Sequence, residues 1–435
     1  MKGRVIKLFL LLILTFAIAC CSIQKEKRPE VVLIGIDGAD WNNLLPFINE
    51  GILPNFKTLL RNGTFGFLKT FPPARSPVIW TSIATGKNMI KHGIIDWAYI
   101  NEKGIQIPYS QNELKASRVW EILNLSGKKV GVINWFCTFP AERVNGYIVS
   151  DAFRHGVATE DFEGRITYPY RLLNKIKPML RRGEKGYLQV IKEEDLLNVE
   201  KTNLSEEHQE ELKIWILQDK VIEDVSLHLL STVKVDFFAT YFRMIDVIGH
   251  YSARMVSEDL GKEWWEECRY KGGVSKKTQK RFEKEIREIF KPYYIYIDRV
   301  VGKFLKRAPR GSKIIIVSDH GFSLSCECFG HYCPEPPDGI LIMKGDGIKK
   351  GFEIKNATIY DITPTILYIF GMPIAKDMDG KVILDAFQPD FKKQREITFI
   401  ESYEKVIKSE KEERYRNRKL DEETLEQLRS LGYIK

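Results

Sequence analysis

The stretch K-I-I-I-V-S-D-H-G-F, Lys313 to Phe322, constrains this chain most, because it joins a buried-strand pattern directly to two metal-competent side chains. Four consecutive β-branched residues, Ile314 to Val317, are too few for a helix and too apolar for a surface strand. They predict a central strand covered on both faces. Asp319 and His320 follow at its carboxyl end, where open α/β sheets place their chemistry, and Gly321 allows the backbone to turn just behind them. Asp and Gly are also ordinary turn residues, so one such motif does not separate a site from a hydrogen-bonded surface turn.

The same pattern occurs twice more. Val31 to Ile36 (V-V-L-I-G-I) is a second buried-strand run that delivers Asp37, with Gly38 behind it. Asp236 to Phe242 (D-F-F-A-T-Y-F) is a third, followed by Asp246 and, four residues later, His250. Three apolar strands therefore lead into ligand-type side chains. Carboxylate oxygen together with imidazole nitrogen suits zinc or another first-row divalent ion better than calcium or magnesium, which prefer oxygen alone. Lys128 to Trp135 and Tyr147 to Ser150 predict further inner strands, and Arg75 to Gly86 a helix in which Ser76 precedes Pro77 as an N-cap precedes Pro at N1.

The ordered set I-G-I-D-G-A, S-P-V-I-W-T-S-I-A-T-G-K-N-M-I-K-H-G-I, D-V-I-G-H, S-D-H-G-F and a later His resembles the alkaline phosphatase superfamily. Within it, the chain is most similar to the type I phosphodiesterase/nucleotide pyrophosphatase branch, from about Val31 to about Phe387, with P-D-G-I-L-I-M-K-G and D-I-T-P-T-I-L-Y-I-F-G-M-P as closing segments. The resemblance implies an alkaline-phosphatase-like three-layer α/β/α sandwich with a mostly parallel central sheet and helical cap insertions. It also implies a Ser nucleophile at Ser76, nine positions before Thr85, and a last ligand at His331. One metal would be held by Asp37, Asp319, His320 and Ser76, the other by Asp246, His250 and His331. The ions would be zinc, with manganese as the alternative. Two such ions roughly 4 Å apart can clamp an in-line displacement, and the implied reaction is hydrolysis of a small-molecule phosphate ester through a phosphoseryl intermediate. Two positions depart from the nucleotide pyrophosphatase pattern: Ile79 stands where that branch has an Asn, and Pro77 removes a backbone donor. Arg75 is a candidate for the missing positive charge.

The chain divides into a signal peptide (1–19), a polar tether (20–29), a catalytic core in three parts (30–153, 229–250 and 309–390), helical insertions at 154–228 and 251–308, and a helical tail (391–435). Leu8 to Ala19 is too short to span a bilayer, and Ala17-Ile18-Ala19-Cys20 resembles a lipoprotein processing site with Cys20 lipidated. Export to the periplasm or cell exterior, tethered to the membrane by that lipid or secreted, is the expectation. Outside the cytoplasm cysteines pair, so a loop disulfide is expected within C-E-C-F-G-H-Y-C in preference to a zinc knuckle. The net charge of +9 includes Lys2, Arg4 and Lys7, and the remainder is diffuse, with no nucleic-acid patch. His92 is expected to be structural, His155, His208 and His228 surface or core residues, and Thr81 and Ser82 packing residues.

Neighbouring chemistries fit less well. A sulfatase of the same superfamily needs C/S-x-P-x-R, which Ser76-Pro77-Val78-Ile79 does not supply. A phospho-group transferase shares the nucleophile and differs in acceptor. A non-catalytic surface lipoprotein would be expected to have lost ligands, and all seven are present.

Overall fold

A computed structural model of the chain describes residues 29–155, 163–181 and 204–404. The segments expected to be a signal peptide (with Cys20 after it), most of the expected tether, parts of the first expected insertion and the Leu420 to Lys435 tail lie outside the described residues. Nine strands form one sheet: β1 (Val31–Ile36), β2 (Thr64–Lys69), β3 (Val130–Ile133), β4 (Gly146–Val149), β5 (Thr167–Tyr168), β6 (Phe237–Phe242), β7 (Lys313–Val317), β8 (Gly339–Lys344) and β9 (Phe352–Thr358). Their order is β9-β2-β8-β7-β1-β6-β3-β4-β5. Only β8 and β5 run against their neighbours, and the other pairings are parallel.

The three strands singled out by their apolar runs are adjacent at the centre, with β1 between β7 and β6. Gly35 lies opposite both Val317 and Tyr241, and Ile36 opposite Phe242. The register therefore brings the residues after β1, β6 and β7 to one level at the carboxyl edge. Successive side chains of a strand point to opposite faces, and β1 divides accordingly. Val32, Ile34 and Ile36 enter one core with the helices Trp41–Asn49, Glu206–Thr232, Met244–Met255 and Lys276–Arg307. Val31 and Leu33 enter a second core with the helices Ser76–Thr85, Val119–Leu125 and Ile362–Ile369. This is the alkaline-phosphatase-like three-layer arrangement.

The charged, helical sequence on either side of β6 has more than a capping role. Ile216, Ile222 and Val225 of the Glu206–Thr232 helix, and Phe282, Ile297 and Phe304 of the 32-residue Lys276–Arg307 helix, are buried in the first core. Long helices with one apolar stripe read as predominantly charged text although they form a layer of the sandwich. Among the described residues, no helix is long and apolar enough to cross a membrane.

Candidate active site

Asp37, Asp319 and His320 follow strand ends directly, Asp246 and His250 lie on the Met244–Met255 helix after β6, and His331 comes from a loop; glycines set how closely these segments approach. Gly38, directly after Asp37, has φ +71°, and a Cβ there would lie 2.8 Å from Asp246 Cα. Both the left-handed backbone and the contact with the next ligand segment require glycine. Gly249 does the same for its neighbour, since a Cβ there would meet the Phe322 ring at 2.5 Å. Gly321 is needed for a different reason than its turn signal suggests: its φ is ordinary, and a Cβ there would lie 2.9 Å from both Asp338 O and Asp40 Cβ. Gly38→Ala is expected to cost about 2–4 kcal/mol, from backbone strain plus overpacking against Asp246. Urea denaturation checks this; an unchanged midpoint would show that the two segments are not tightly apposed.

Six predicted ligands meet in one cluster, five of them buried and His250 at its exposed side. His320 Nε2 lies 3.3 Å from Asp37 Oδ1 and 3.3 Å from Asp319 Oδ2. Asp246 Oδ1 lies 3.2 Å from His250 Nε2, 3.5 Å from His331 Nε2 and 4.0 Å from His320 Nε2. The His320 and His331 rings stack at 3.7 Å, and His250 Nε2 is 3.1 Å from His331 Nε2. Two groups within this cluster could each hold a metal ion, Asp37–Asp319–His320 and Asp246–His320–His331, their ligand atoms lying within 4.8 Å of one another.

Hydrogen bonding fixes which nitrogens face inward. His320 Nδ1 donates to Gly321 O at 2.9 Å, and His331 Nδ1 donates to Ala74 O at 2.7 Å. A carbonyl can only accept, so Nδ1 carries a proton in both rings and Nε2 is the ring atom left for a metal. These Nε2 atoms face carboxylate oxygens. Asp37 Oδ1, Asp246 Oδ1, Asp319 Oδ2 and His320 Nε2 are all buried without a hydrogen-bond partner. Acceptors facing acceptors out of water are unfavourable unless a cation lies among them, so the donor set fits a divalent metal.

The titration of the cluster reflects this crowding. Burial, and then the facing Asp246 carboxylate, push Asp37 above the ordinary carboxylate range. Burial and the adjacent Asp37 push Asp319 well above it. Asp246 moves the other way: burial opposes its charge, but the His250, His331 and His320 imidazoles outweigh burial and hold it low. Burial, then His320 beside it, brings His331 down to about 3.

Ser76 opens the Ser76–Thr85 helix as its first residue. Arg75, with extended backbone, occupies the N-cap that Ser76 is expected to fill. Ser76 therefore makes no capping bond, and its Oγ is buried with no partner. The segment leading into this helix is tied to the cluster by the bond from His331 to the Ala74 carbonyl. Arg75 is paired with Asp96. Thr81 and Ser82 are buried and return their hydroxyls to the Pro77 and Val78 carbonyls, and His92 bonds to Ser82 Oγ at 3.0 Å, as structural residues would. His208 and His228 lie on the Glu206–Thr232 helix and do not join the cluster.

Several supporting residues carry no sequence signal. Tyr241, inside β6, donates its hydroxyl to Asp37 Oδ2. Asp40 caps the Trp41–Asn49 helix and accepts from Phe322 N at 3.1 Å, and burial raises its carboxyl to about 6. The cysteines pair as Cys268–Cys326 and Cys328–Cys333, the second closing a short loop around His331, while Cys137 is buried and free.

A three-layer sandwich with Asp and His side chains at the carboxyl ends of three adjacent central strands defines the alkaline-phosphatase-like class. Residues 31–364 match the family model described as type I phosphodiesterase / nucleotide pyrophosphatase, and the chain belongs to that family. A 2-O GAG sulfatase superposes with a TM-score of 0.52 at 11% identity, covering 83% of this chain and 74% of that one. Murine ectonucleotide pyrophosphatase / phosphodiesterase 5, in an inactive form in complex with AMP, gives a TM-score of 0.47 at 10% identity, covering 83% of this chain and 100% of that one. At these identities the likeness concerns the fold. No curated protein matches the chain.

Proposed function

We propose that the chain is a metal-dependent phosphoric ester hydrolase with Ser76 as nucleophile. The observation that carries this reading is the set of five buried, unpartnered atoms supplied by the expected nucleophile and ligands: Ser76 Oγ, Asp37 Oδ1, Asp246 Oδ1, Asp319 Oδ2 and His320 Nε2. Asp37, Asp319, His320 and Ser76 would hold one divalent ion, and Asp246, His250 and His331 the other, zinc or manganese by donor type. Bound there, the ions would supply Lewis acidity and neutralise charge on the phosphoryl group and the serine oxygen.

The remaining steps belong to the chain itself. Ser76 Oγ loses its proton and bonds to phosphorus as the ester P–O bond breaks, and the departing alcohol takes up a proton. Water then attacks the phosphoserine, the Oγ–P bond breaks, and Ser76 is regenerated. The first turn of the Ser76–Thr85 helix favours the anion, although Pro77 leaves one fewer backbone donor. Tyr241 and the Ala74 and Gly321 carbonyls keep Asp37, His331 and His320 oriented between the steps.

Export with an N-terminal lipid anchor at Cys20 is part of the proposal. The two paired cysteine bridges support an oxidising compartment. The test is a screen of the purified chain against phosphate monoesters, phosphate diesters and sulfate esters, with metal analysis. Turnover of phosphate esters with about two divalent ions per chain is expected. No turnover and no bound metal would leave a binding module on this fold.

A further inference from the structure

Arg243 is the first residue past β6, level with Asp37 across the register and three residues before Asp246. Its guanidinium lies over two indole rings from separate parts of the chain, 5.6 Å from Trp97 and 4.4 Å from Trp215. Its Nε is buried without a hydrogen-bond partner, and among the described residues no carboxylate forms an ion pair with it. Its backbone is fixed as well, because Arg243 N and Met244 N donate to Asp219 Oδ2 at 3.0 and 2.8 Å. A guanidinium stacked on aromatic faces keeps its N–H donors in the plane of its fork, the arrangement that matches a carboxylate or phosphate.

The place of this charge says which part of a substrate it would meet. Arg243 leaves β6 at the same carboxyl edge that delivers Asp37 and Asp246, and it is partly exposed where Asp37, Asp246 and Asp319 are buried. Tyr332 stacks at 4.0 Å on His331 and at 5.9 Å on His250, and is 57% exposed. Arg243 therefore faces the mouth of the site, outside the space between the metal groups.

We propose that Arg243 receives a second anionic group carried by the substrate, a carboxylate or a phosphate on an ester substituent beyond the reacting phosphorus. This assignment rests on the phosphoric ester hydrolase reading and adds a substrate class to it. Trp97 and Trp215 hold the guanidinium in place, and Tyr332 lines the path from it to the cluster.

The experiment compares three diesters with one leaving group: 4-nitrophenyl methyl phosphate, 4-nitrophenyl carboxymethyl phosphate and 4-nitrophenyl 2-phosphoethyl phosphate. The zinc-loaded full chain is expected to prefer one or both charged diesters, the better one identifying the anion. Arg243→Gln is expected to lower kcat/KM for the preferred charged diester by about 10- to 150-fold, chiefly through KM, the loss of a hydrogen bond to a charged group. The methyl diester should change by less than about 3-fold, and Arg243→Lys should keep part of the preference. Equal losses on all three diesters, or no loss on any, would overturn the assignment while leaving the hydrolase reading intact. A wild-type chain inactive on every diester and on phosphate monoesters would overturn the hydrolase reading, and this substrate contact with it.

Discussion

Ser76→Ala is expected to lower phosphate-ester turnover by about 10³- to 10⁶-fold, the range seen when a covalent nucleophile is removed, while the chain stays folded. The two outcomes separate because Ser76 Oγ makes no hydrogen bond and caps no helix. Nothing in the structure loses a partner, and alanine is a better helix former than serine, so the stability change should stay within about 0.5 kcal/mol. Ser82→Ala is the contrasting variant. It removes a bond to Val78 O and leaves His92 Nε2 without its partner, at a cost of about 1 kcal/mol in stability, with little effect on turnover. Hydrolysis of p-nitrophenyl phosphate and bis-p-nitrophenyl phosphate, alongside thermal melts, reads both. Wild-type-like turnover in Ser76→Ala would remove Ser76 from the chemistry; a large drop in melting temperature would mean that its hydroxyl serves the fold.

The central strands were legible because burial on both faces leaves an unbroken β-branched run, and because a ligand following such a run can only emerge at the carboxyl edge. That logic yields Asp37, Asp319 and His320 directly, and Asp246 and His250 through one turn of helix. It does not reach β2, whose residues alternate in exposure and whose neighbour β8 runs the other way, or β9, a largely exposed edge strand paired only with β2. Nor does it reach Tyr241, which looks like any aromatic inside a strand until its hydroxyl is found on Asp37. Helix layers were obscured for a different reason. A long helix needs only one apolar stripe, so the Lys276–Arg307 segment is charged in composition and yet buries Phe282, Phe290 and Phe304. Of the cysteine bridges, the loop disulfide expected within C-E-C-F-G-H-Y-C is Cys328–Cys333, whereas Cys268 reaches Cys326 across a separation of 58 residues, which no local spacing announces.

Removal of divalent metal should have the next largest consequence: at least about a 100-fold loss of turnover on chelation, reversed by zinc or manganese, with a fall in thermal stability. The stability effect follows from mass action. A ligand present at a thousand times its dissociation constant contributes about 4 kcal/mol to the folded state. The pH dependence has a definite sign. Folded Asp37 and Asp319 hold protons that the unfolded chain has already released, because burial, with Asp246 and Asp37 respectively, raises their pKa values. Their contribution to stability is thus full below the ordinary carboxylate range and is lost as pH rises toward the raised folded values. Metal binding requires both carboxylates to be ionised, and His331, titrating near 3, is already neutral and does not compete. The increase in melting temperature on adding zinc should accordingly be larger at pH 7.5 than at pH 5.5, and calorimetric titration should show protons released on binding. Asp246 works against this trend only at low pH, since its three imidazole neighbours keep it ionised below the ordinary carboxylate range and its contribution to stability is lost only as pH falls through its lowered folded value. A chain stripped of metal that still hydrolyses phosphate esters at full rate, or one stabilised equally by zinc at both pH values, would mean that the crowded acceptors around His320 are not a metal centre.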